Sequence, residues 1–270
     1  MIKFDYHSHS VFSPDSFASL EDMVHYALKR GLTELAITDH MDFYYPSGKL
    51  INHTPIKKYA QAVLKAQEIF EGQIKILLGA EFGLRPDSVA TATKIANEHD
   101  FDFIIGSMHE HADGYGYHSS QFFGGRTKKQ AYDACFENMA ATVNMCDPST
   151  FDVVGHLDYV ERYARYPDKT LHYSEHHETI DALLRAIIDK GKGIEINTAG
   201  FAYGLGHAHP RIEILRRYKE LGGEIITVGS DAHNSKALGQ YFDEAGKMLE
   251  QAGIKYITSF KKRKPSMIKI

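Results

Sequence analysis

Short apolar runs alternate with stretches of helical period along most of the chain. Seven runs, several of them rich in β-branched residues, predict strands at Ile2–Tyr6, Glu34–Thr38, Lys75–Gly79, Phe101–Gly106, Phe151–Gly155, Gly193–Asn197 and Glu224–Gly229. Apolar residues at helical spacing predict helices at Leu20–Arg30, Ile56–Phe70, Lys128–Val143, Thr179–Lys190 and Pro210–Leu221. Strands that alternate with helices pair in parallel, so the pattern predicts an open doubly wound sheet or a closed barrel.

The residues that follow the predicted strands favour the barrel. Six of the seven strands end in a histidine or a carboxylate, whereas the sixth along the chain ends in Asn197. These strand-end residues are His7 and His9, His40, Glu81, His109, His156, and Asp231 with His233. In a barrel, all parallel strands deliver their C-terminal ends to one mouth, whereas an open sheet gathers its site at one switch point. The sequence therefore predicts one shared site at a barrel mouth.

Composition narrows the chemistry of that site to metal binding by nitrogen and oxygen ligands. The chain has 16 histidines and two cysteines, so imidazole and carboxylate ligands are favoured over a thiolate site or a disulfide framework. His7 and His9 are two positions apart and share one face of an extended segment, and Asp231 and His233 repeat that spacing. The net charge of −4 provides no global basic field for duplex nucleic acid.

The rest of the chain gives few further signals. No apolar leader opens the sequence and no window of about 18 apolar residues occurs, so we expect a cytoplasmic protein without a membrane partner. Without a repeat or a linker-like tract, a single domain over residues 1–270 is predicted. The basic run Lys261–Lys264 is expected to be a solvated tail, and nucleic-acid binding through it is not expected.

The order of the strand-end motifs resembles the PHP (polymerase and histidinol phosphatase) superfamily. The resemblance is carried by Asp5-x-His7-x-His9, Thr38-Asp39-His40, Glu81, Ser107-x-His109, Gly155-His156-Leu157-Asp158 and Ser230-Asp231-Ala232-His233. It implies a distorted seven-stranded parallel (β/α)7 barrel with its metal site at the C-terminal mouth of the strands. The segments Phe101–Ser107, Gly155–Asp158 and Glu195–Gly200 are similar to the stand-alone histidinol-phosphate phosphatases of this superfamily.

The resemblance also implies two or three divalent metal ions, which zinc, iron or manganese would suit. The implied ligands are His7, His9, Glu81 and Asp231 for the first ion, Glu81, His109 and His156 for the second, and His40 and His233 for the third. A residue of the loop after the first strand would complete the ligands of the third ion. Asp15 is the candidate, although many relatives have histidine at that point. An acidic turn residue beside Pro14 is the alternative interpretation of Asp15.

The implied reaction is the hydrolysis of a phosphate ester, in which a metal-bridging hydroxide attacks phosphorus. We assign the catalytic role to Glu81, Asp231 and His233. Arg162 follows the fifth strand and is the candidate for binding the phosphate, with Arg165 as the alternative. Asp158 either orients His156 or caps its loop.

The chain departs from its relatives after Asn197-Thr198-Ala199-Gly200, where several of them carry a basic residue. His207 and His209 are candidates to replace it, either as phosphate contacts or as the proton donor to the leaving group. The alternative is a mobile glycine-rich loop whose histidines face solvent.

We therefore expect a metal-dependent phosphomonoesterase that hydrolyses L-histidinol phosphate to L-histidinol and phosphate in histidine biosynthesis. A broader phosphoesterase acting on nucleotides or short single-stranded nucleic acid is the alternative within the same chemistry. A metal-binding protein without catalysis is disfavoured, because every implied ligand position other than that of Asp15 carries the expected residue type. The expected partners are a small phosphorylated substrate and inorganic phosphate as the product.

Overall fold

The computed structural model describes residues 2–43 and 55–270 and confirms the predicted alternation of strands and helices. The strands are β1 (Phe4–Asp5), β2 (Glu34–Ile37), β3 (His40–Asp42), β4 (Lys75–Gly83), β5 (Phe103–Ser107), β6 (Val153–Val154), β7 (Gly193–Asn197), β8 (Ile226–Gly229), β9 (Tyr256–Lys261) and β10 (Lys264–Lys269). The α-helices are α1 (Leu20–Lys29), α2 (Ile56–Ile69), α3 (Val89–Glu98), α4 (Ser120–Phe123), α5 (Lys128–Met145), α6 (Val160–Tyr163), α7 (Tyr173–Asp189), α8 (Ala199–Ala202), α9 (Ile212–Glu220) and α10 (Phe242–Gln251). The sequence did not predict α3, α4, α6, α8 or α10, nor the strands β3, β9 and β10, and α7 begins before the predicted Thr179.

The main sheet is parallel and nearly closes into a barrel, as predicted. Its strands are ordered β1-β2-β4-β5-β6-β7-β8, and β3 pairs separately with β4. Main-chain hydrogen bonds join the two ends of this order: the Tyr6 N–H donates to Val228 at 3.0 Å and the Asp231 N–H donates to His7 at 2.8 Å. The C-terminal ends of all seven strands therefore share one mouth.

Strand β4 is longer than predicted, because it has two partners on the same side. The chain leaves the sheet after β2 and rejoins it as β3, whose His40 is in register with Glu81. Between β2 and β3, the Tyr59 hydroxyl lies 2.7 Å from the Ile37 carbonyl oxygen and 2.9 Å from that of Gly79. Glu81 thus lies within a paired strand rather than in the loop after it, which fixes its main chain.

The inside of the barrel is divided between an apolar end and a polar end. A buried cluster fills the end opposite the mouth, and its members are Tyr6, Ala36, Leu77, Phe103, Ile105, Val153 and Phe260. A larger core packs the helices against the outer surface of the sheet. Buried polar residues occupy the mouth end, among them His7, His9, Glu81 and His156. None of the helices in the described ranges combines the length and the apolar character needed to cross a membrane.

The basic run is exposed at Lys261, Lys262 and Lys264, as expected, but it is part of a hairpin and not a tail. Lys262 and Arg263, both at positive φ, form the turn of the antiparallel hairpin β9–β10, and the Arg263 guanidinium contacts the Asp152 carboxylate. Phe260 enters the barrel and packs 5.0 Å from the Phe103 ring. The run of four basic residues conceals this turn because charge, without a glycine, is not a turn signal.

The position of Phe260 predicts that the hairpin stabilises the barrel. Phe260→Ala should lower the free energy of unfolding by about 3–5 kcal/mol, because a buried ring leaves a cavity when it is removed. The exposed neighbour Lys261 provides the matched control, and Lys261→Ala should change the same quantity by less than about 0.5 kcal/mol. Urea unfolding followed by circular dichroism measures both, and equal small effects would contradict the role given to the hairpin.

Candidate metal centre

Side chains from the strand ends converge on one cavity of about 280 Å³ at the barrel mouth. The cavity is lined by Asp15, His40, Glu81, His109, His156, Tyr159, Arg162, Tyr163, Tyr203, Asp231 and His233. His7 and His9 are fully buried and contact Glu81 and Asp231 from below. The structure thus brings together all nine residues that the sequence suggested as metal ligands.

Glu81 is at the centre of the cluster, and its two oxygens face different histidines. Oε2 lies 3.4 Å from His7 Nε2 and 3.6 Å from His9 Nε2. Oε1 lies 3.2 Å from His109 Nε2 and 3.1 Å from His156 Nε2. A carboxylate placed in this way is suited to bridge two cations, one held by each oxygen.

The first group of side chains has the spacing of ligands around one ion. Asp231 Oδ1 lies 3.5 Å from His7 Nε2 and 3.2 Å from His9 Nε2. A tetrahedral zinc with ligands at about 2.1 Å separates its ligand atoms by about 3.4 Å. His7 Nε2, His9 Nε2 and Glu81 Oε2 are buried without a hydrogen-bond partner in the described parts of the chain. These residues therefore fit a divalent metal ion.

Asp15 faces the remaining two histidines. Its Oδ2 lies 3.1 Å from His233 Nε2 and 3.6 Å from His40 Nε2, although its side chain is 56% exposed. Burial opposes the ionisation of Asp15, but hydrogen bonds from His233 and His40 lower the pKa of its carboxyl group overall. This geometry supports the assignment of Asp15 as a ligand over the acidic turn residue that was the alternative.

The cluster keeps its acids ionised despite their burial. Burial would raise the pKa of Glu81, but the charges of His7, His40 and His109 hold it well below its usual value. Asp231 behaves in the same way, with His7 and His9 lowering its pKa against the effect of burial. Divalent ions bound beside these carboxylates would offset their charge towards a phosphate dianion.

Hydrogen bonds behind the imidazoles turn their Nε2 atoms towards the cluster. The Nδ1 atom of His7 lies 2.7 Å from Glu195 Oε1, that of His9 lies 3.0 Å from Ser13 Oγ, and that of His233 lies 3.0 Å from the Asp231 carbonyl oxygen. An acceptor at Nδ1 fixes the tautomer in which Nε2 presents its lone pair.

Arg162 lies on the cavity wall among aromatic rings. Its guanidinium lies 3.3 Å from the ring centroid of Tyr203 and 4.8 Å from that of Tyr163. Within the described ranges, no carboxylate is at ion-pair distance from it. Arg165, the alternative, is exposed and does not line the cavity. Arg162 is thus a rigidly stacked cation that is free to bind an anion.

His207 and His209 do not line the cavity. His209 Nδ1 contacts Asp158, and His207 Nε2 lies 3.4 Å from Glu161 Oε2. The geometry supports neither the prediction of a substrate contact for these residues nor the alternative of solvent-facing histidines. Asp158 also accepts from the Arg211 N–H at 2.8 Å, so it anchors the loop after β7 and does not orient His156.

Several residues of the site were not found from the sequence. Glu195 lies in the middle of an apolar run, and a charged residue at such a position is a sequence signal for a buried polar role. Ser13 donates to Asp39 at 2.6 Å behind His9, and a serine in a loop gives no signal of that kind. Tyr159, Tyr163 and Tyr203 surround Arg162 through the packing of two separate loops, which sequence spacing does not reveal.

Comparison with known proteins identifies the family. A family model for the PHP domain matches residues 5–199. The histidinol-phosphatase of Lactococcus lactis is 33% identical over 96% of this chain and 95% of its own length. The probable histidinol-phosphatase of Clostridium acetobutylicum is 32% identical over 96% of this chain and 97% of its own.

A solved structure supports the same relationship. The crystal structure of the Lactococcus lactis histidinol phosphate phosphatase, complexed with zinc, L-histidinol and phosphate, superposes with a TM-score of 0.88. It is 31% identical to this chain and covers 98% of both chains. The protein therefore belongs to the PHP domain family and, within it, to the histidinol-phosphatases.

Proposed function

We propose that this protein is a metal-dependent phosphomonoesterase that hydrolyses L-histidinol phosphate to L-histidinol and inorganic phosphate. The observation that carries the proposal is the convergence of six imidazoles, three carboxylates and the Arg162 guanidinium on one cavity. The substrate is inferred from the 31% identical relative, whose structure contains L-histidinol and phosphate. One domain carries the proposed activity, since the barrel runs from β1 to β8 and shares one core with its helices.

We assign the ligands as three sets, of which the first two share Glu81. The sets are His7, His9, Glu81 and Asp231, then Glu81, His109 and His156, and finally Asp15, His40 and His233. Zinc is the first choice because the zinc-bound relative is similar along its whole length, while manganese and iron suit the same nitrogen and oxygen donors. Bound divalent ions neutralise the phosphoryl oxygens and make a water nucleophilic near neutral pH.

The side chains of the chain itself hold the substrate and direct the attack. Arg162 binds phosphate oxygens with its planar fork, and the tyrosine rings that stack on it fix its orientation. Asp231 and His233 lie side by side on the wall, with Oδ1 and Nδ1 3.5 Å apart, and together with Glu81 they position the attacking water. As the oxygen of that water bonds to phosphorus, the bond from phosphorus to the leaving oxygen breaks, and the proton released by the water ends on the alkoxide.

The size of the cavity favours a small ester over the nucleic-acid alternative. A volume of about 280 Å³ is just below the range of small-molecule sites, which runs from about 300 to 1,000 Å³. The protein, stripped of metal and reloaded with Zn²⁺ or Mn²⁺, should release phosphate from L-histidinol phosphate about 10²-fold more efficiently than from AMP or a short oligonucleotide. Equal kcat/KM values on all three would favour the broader phosphoesterase.

Removing Glu81 should abolish both metal binding and activity. Glu81→Ala takes one ligand from two proposed ions, so we expect metal content to fall and kcat/KM to drop by about 10³-fold or more. Elemental analysis and phosphate release measure the two effects. Glu224→Ala, an exposed glutamate that precedes β8 on the opposite side of the barrel, is the control and should change neither. Full metal content in Glu81→Ala would contradict the ligand assignment.

The two arginines of the loop after β6 can be separated by mutation. Arg162→Ala should lower kcat/KM by about 10–100-fold, because a hydrogen bond to a charged group contributes about 1.5–3 kcal/mol. Arg165→Ala should leave kcat/KM unchanged, since that side chain is exposed outside the cavity. Metal content should stay constant in both variants, and an unaffected Arg162→Ala would remove this residue from the site.

A further inference from the structure

Strand β7 contributes no proposed metal ligand, but it carries a fully buried acid behind the proposed ligands. Glu195 is at its centre and is 0% exposed. Its Oε1 lies 2.7 Å from His7 Nδ1. Its Oε2 accepts hydrogen bonds from the His156 main-chain N–H at 3.1 Å and from Asn197 Nδ2 at 3.2 Å. In the described ranges, no lysine or arginine pairs with it, so its partners all belong to the site.

We propose that Glu195 is a positioning residue that orients His7 and His156 together and so couples the two proposed ion sites on either side of Glu81. The inference rests on the metal centre of the proposed function. It assigns no ligand role to Glu195, because the carboxylate contacts the Nδ1 atom of His7, on the opposite side of the imidazole from Glu81.

The effect on His7 is a choice of tautomer. A carboxylate 2.7 Å from Nδ1 accepts a proton from that nitrogen, which leaves the lone pair of Nε2 directed at Glu81 and Asp231. Histidine ligands of metals commonly have a carboxylate behind them in this way. Without it, the two tautomers of a fully buried ring would compete, and one of them cannot bind a cation through Nε2.

The effect on His156 is on its main chain. This residue has φ 22°, in the left-handed region that is unfavourable for a side chain with a Cβ atom. Its N–H is held by Glu195, and in that conformation His156 Nε2 lies 3.1 Å from Glu81 Oε1. The same carboxylate therefore helps to hold a strained backbone that points the second imidazole at the bridging acid.

The neighbouring strands leave room for this carboxylate. A Cβ atom at Gly229, the last residue of β8, would lie 2.5 Å from Glu195 Oε1 and 2.3 Å from the Cβ of His7. A Cβ atom at Gly155 would lie 2.6 Å from Ser107 Oγ and 3.5 Å from Glu195 Oε2. A side chain at Gly229 would therefore collide with Glu195 itself, whereas one at Gly155 would collide with Ser107 beside it.

Glu195→Gln tests the proposal with almost no change of shape. The amide has one oxygen, and two donors face Oε2, so we expect the oxygen there and the NH₂ group against His7. His7 Nδ1 must then act as an acceptor, which puts the proton on Nε2 and removes a ligand. Zinc affinity should fall about 10–100-fold, measured by titration against a chelator. By NMR, the zinc-loaded wild type should show a downfield Nδ1–H resonance for His7, and the variant should lack it.

Asp152→Asn is the matched control. Asp152 is also a buried carboxylate, 2% exposed, and accepts from the Ile104 N–H at 2.9 Å just before β6, at the end of the barrel away from the mouth. This variant loses the same charge and should keep wild-type zinc affinity. If Glu195→Gln keeps both its zinc affinity and the Nδ1–H resonance, the proposal is overturned.

A second variant covers the case in which the glutamine variant does not fold. Glu195→Asp keeps the charge and withdraws it by one methylene, so zinc affinity should again fall, by about tenfold. Unchanged affinity would overturn the proposal.

The activity of the wild type distinguishes this inference from the proposed function. Weakened zinc binding in the variants, with a wild type inactive on L-histidinol phosphate, would refute only the function. An active wild type with unchanged variants would refute only the role of Glu195.

Discussion

Burial of the Glu81 carboxylate imposes the arrangement of the barrel mouth. An ionised acid at 0% exposure needs compensating positive charge on each of its oxygens. Imidazoles from four other strands, His7, His40, His109 and His156, supply part of it, and buried atoms without hydrogen-bond partners match the ligand spacing of divalent ions. The extension of β4 by its pairing with β3 holds this acid on paired main chain, so its position does not depend on a loop.

The division of the barrel interior follows from the same constraint. A polar cluster cannot contribute apolar packing, so the opposite end of the barrel must supply the core, and there the hairpin β9–β10 inserts Phe260 beside Phe103. The apolar cluster that stabilises the barrel and the proposed metal centre thus lie at opposite ends of the same strands. Metal binding adds to the stability of the mouth, since a ligand of the folded state alone shifts the folding equilibrium.

The sequence predicts this fold well where a residue acts through its own position along the chain. His7, His156 and Asp231 follow apolar runs, and parallel pairing then brings them together. The sequence is a poor guide where the role of a residue depends on a contact with a residue far away along the chain. His207 and His209 are predicted as substrate contacts, but they pair with Glu161 and Asp158, about 50 residues earlier, and no local pattern reveals this pairing. The paired strand beyond Gly79 and the hairpin turn at Lys262 depend likewise on neighbours that no local pattern contains.

Selectivity must come from the wall of the cavity and not from the ions. Divalent cations bind the phosphoryl group of any ester, so they do not distinguish an amino alcohol phosphate from a nucleotide. After Gly200 this chain has Phe201, whose ring stacks on that of Tyr241 with 5.3 Å between the ring centroids. Arg162 is the one arginine or lysine that lines the described cavity, and the rings of Tyr163 and Tyr203 lie against its guanidinium. We therefore expect substrate choice to depend more on these tyrosines than on the proposed metal ligands.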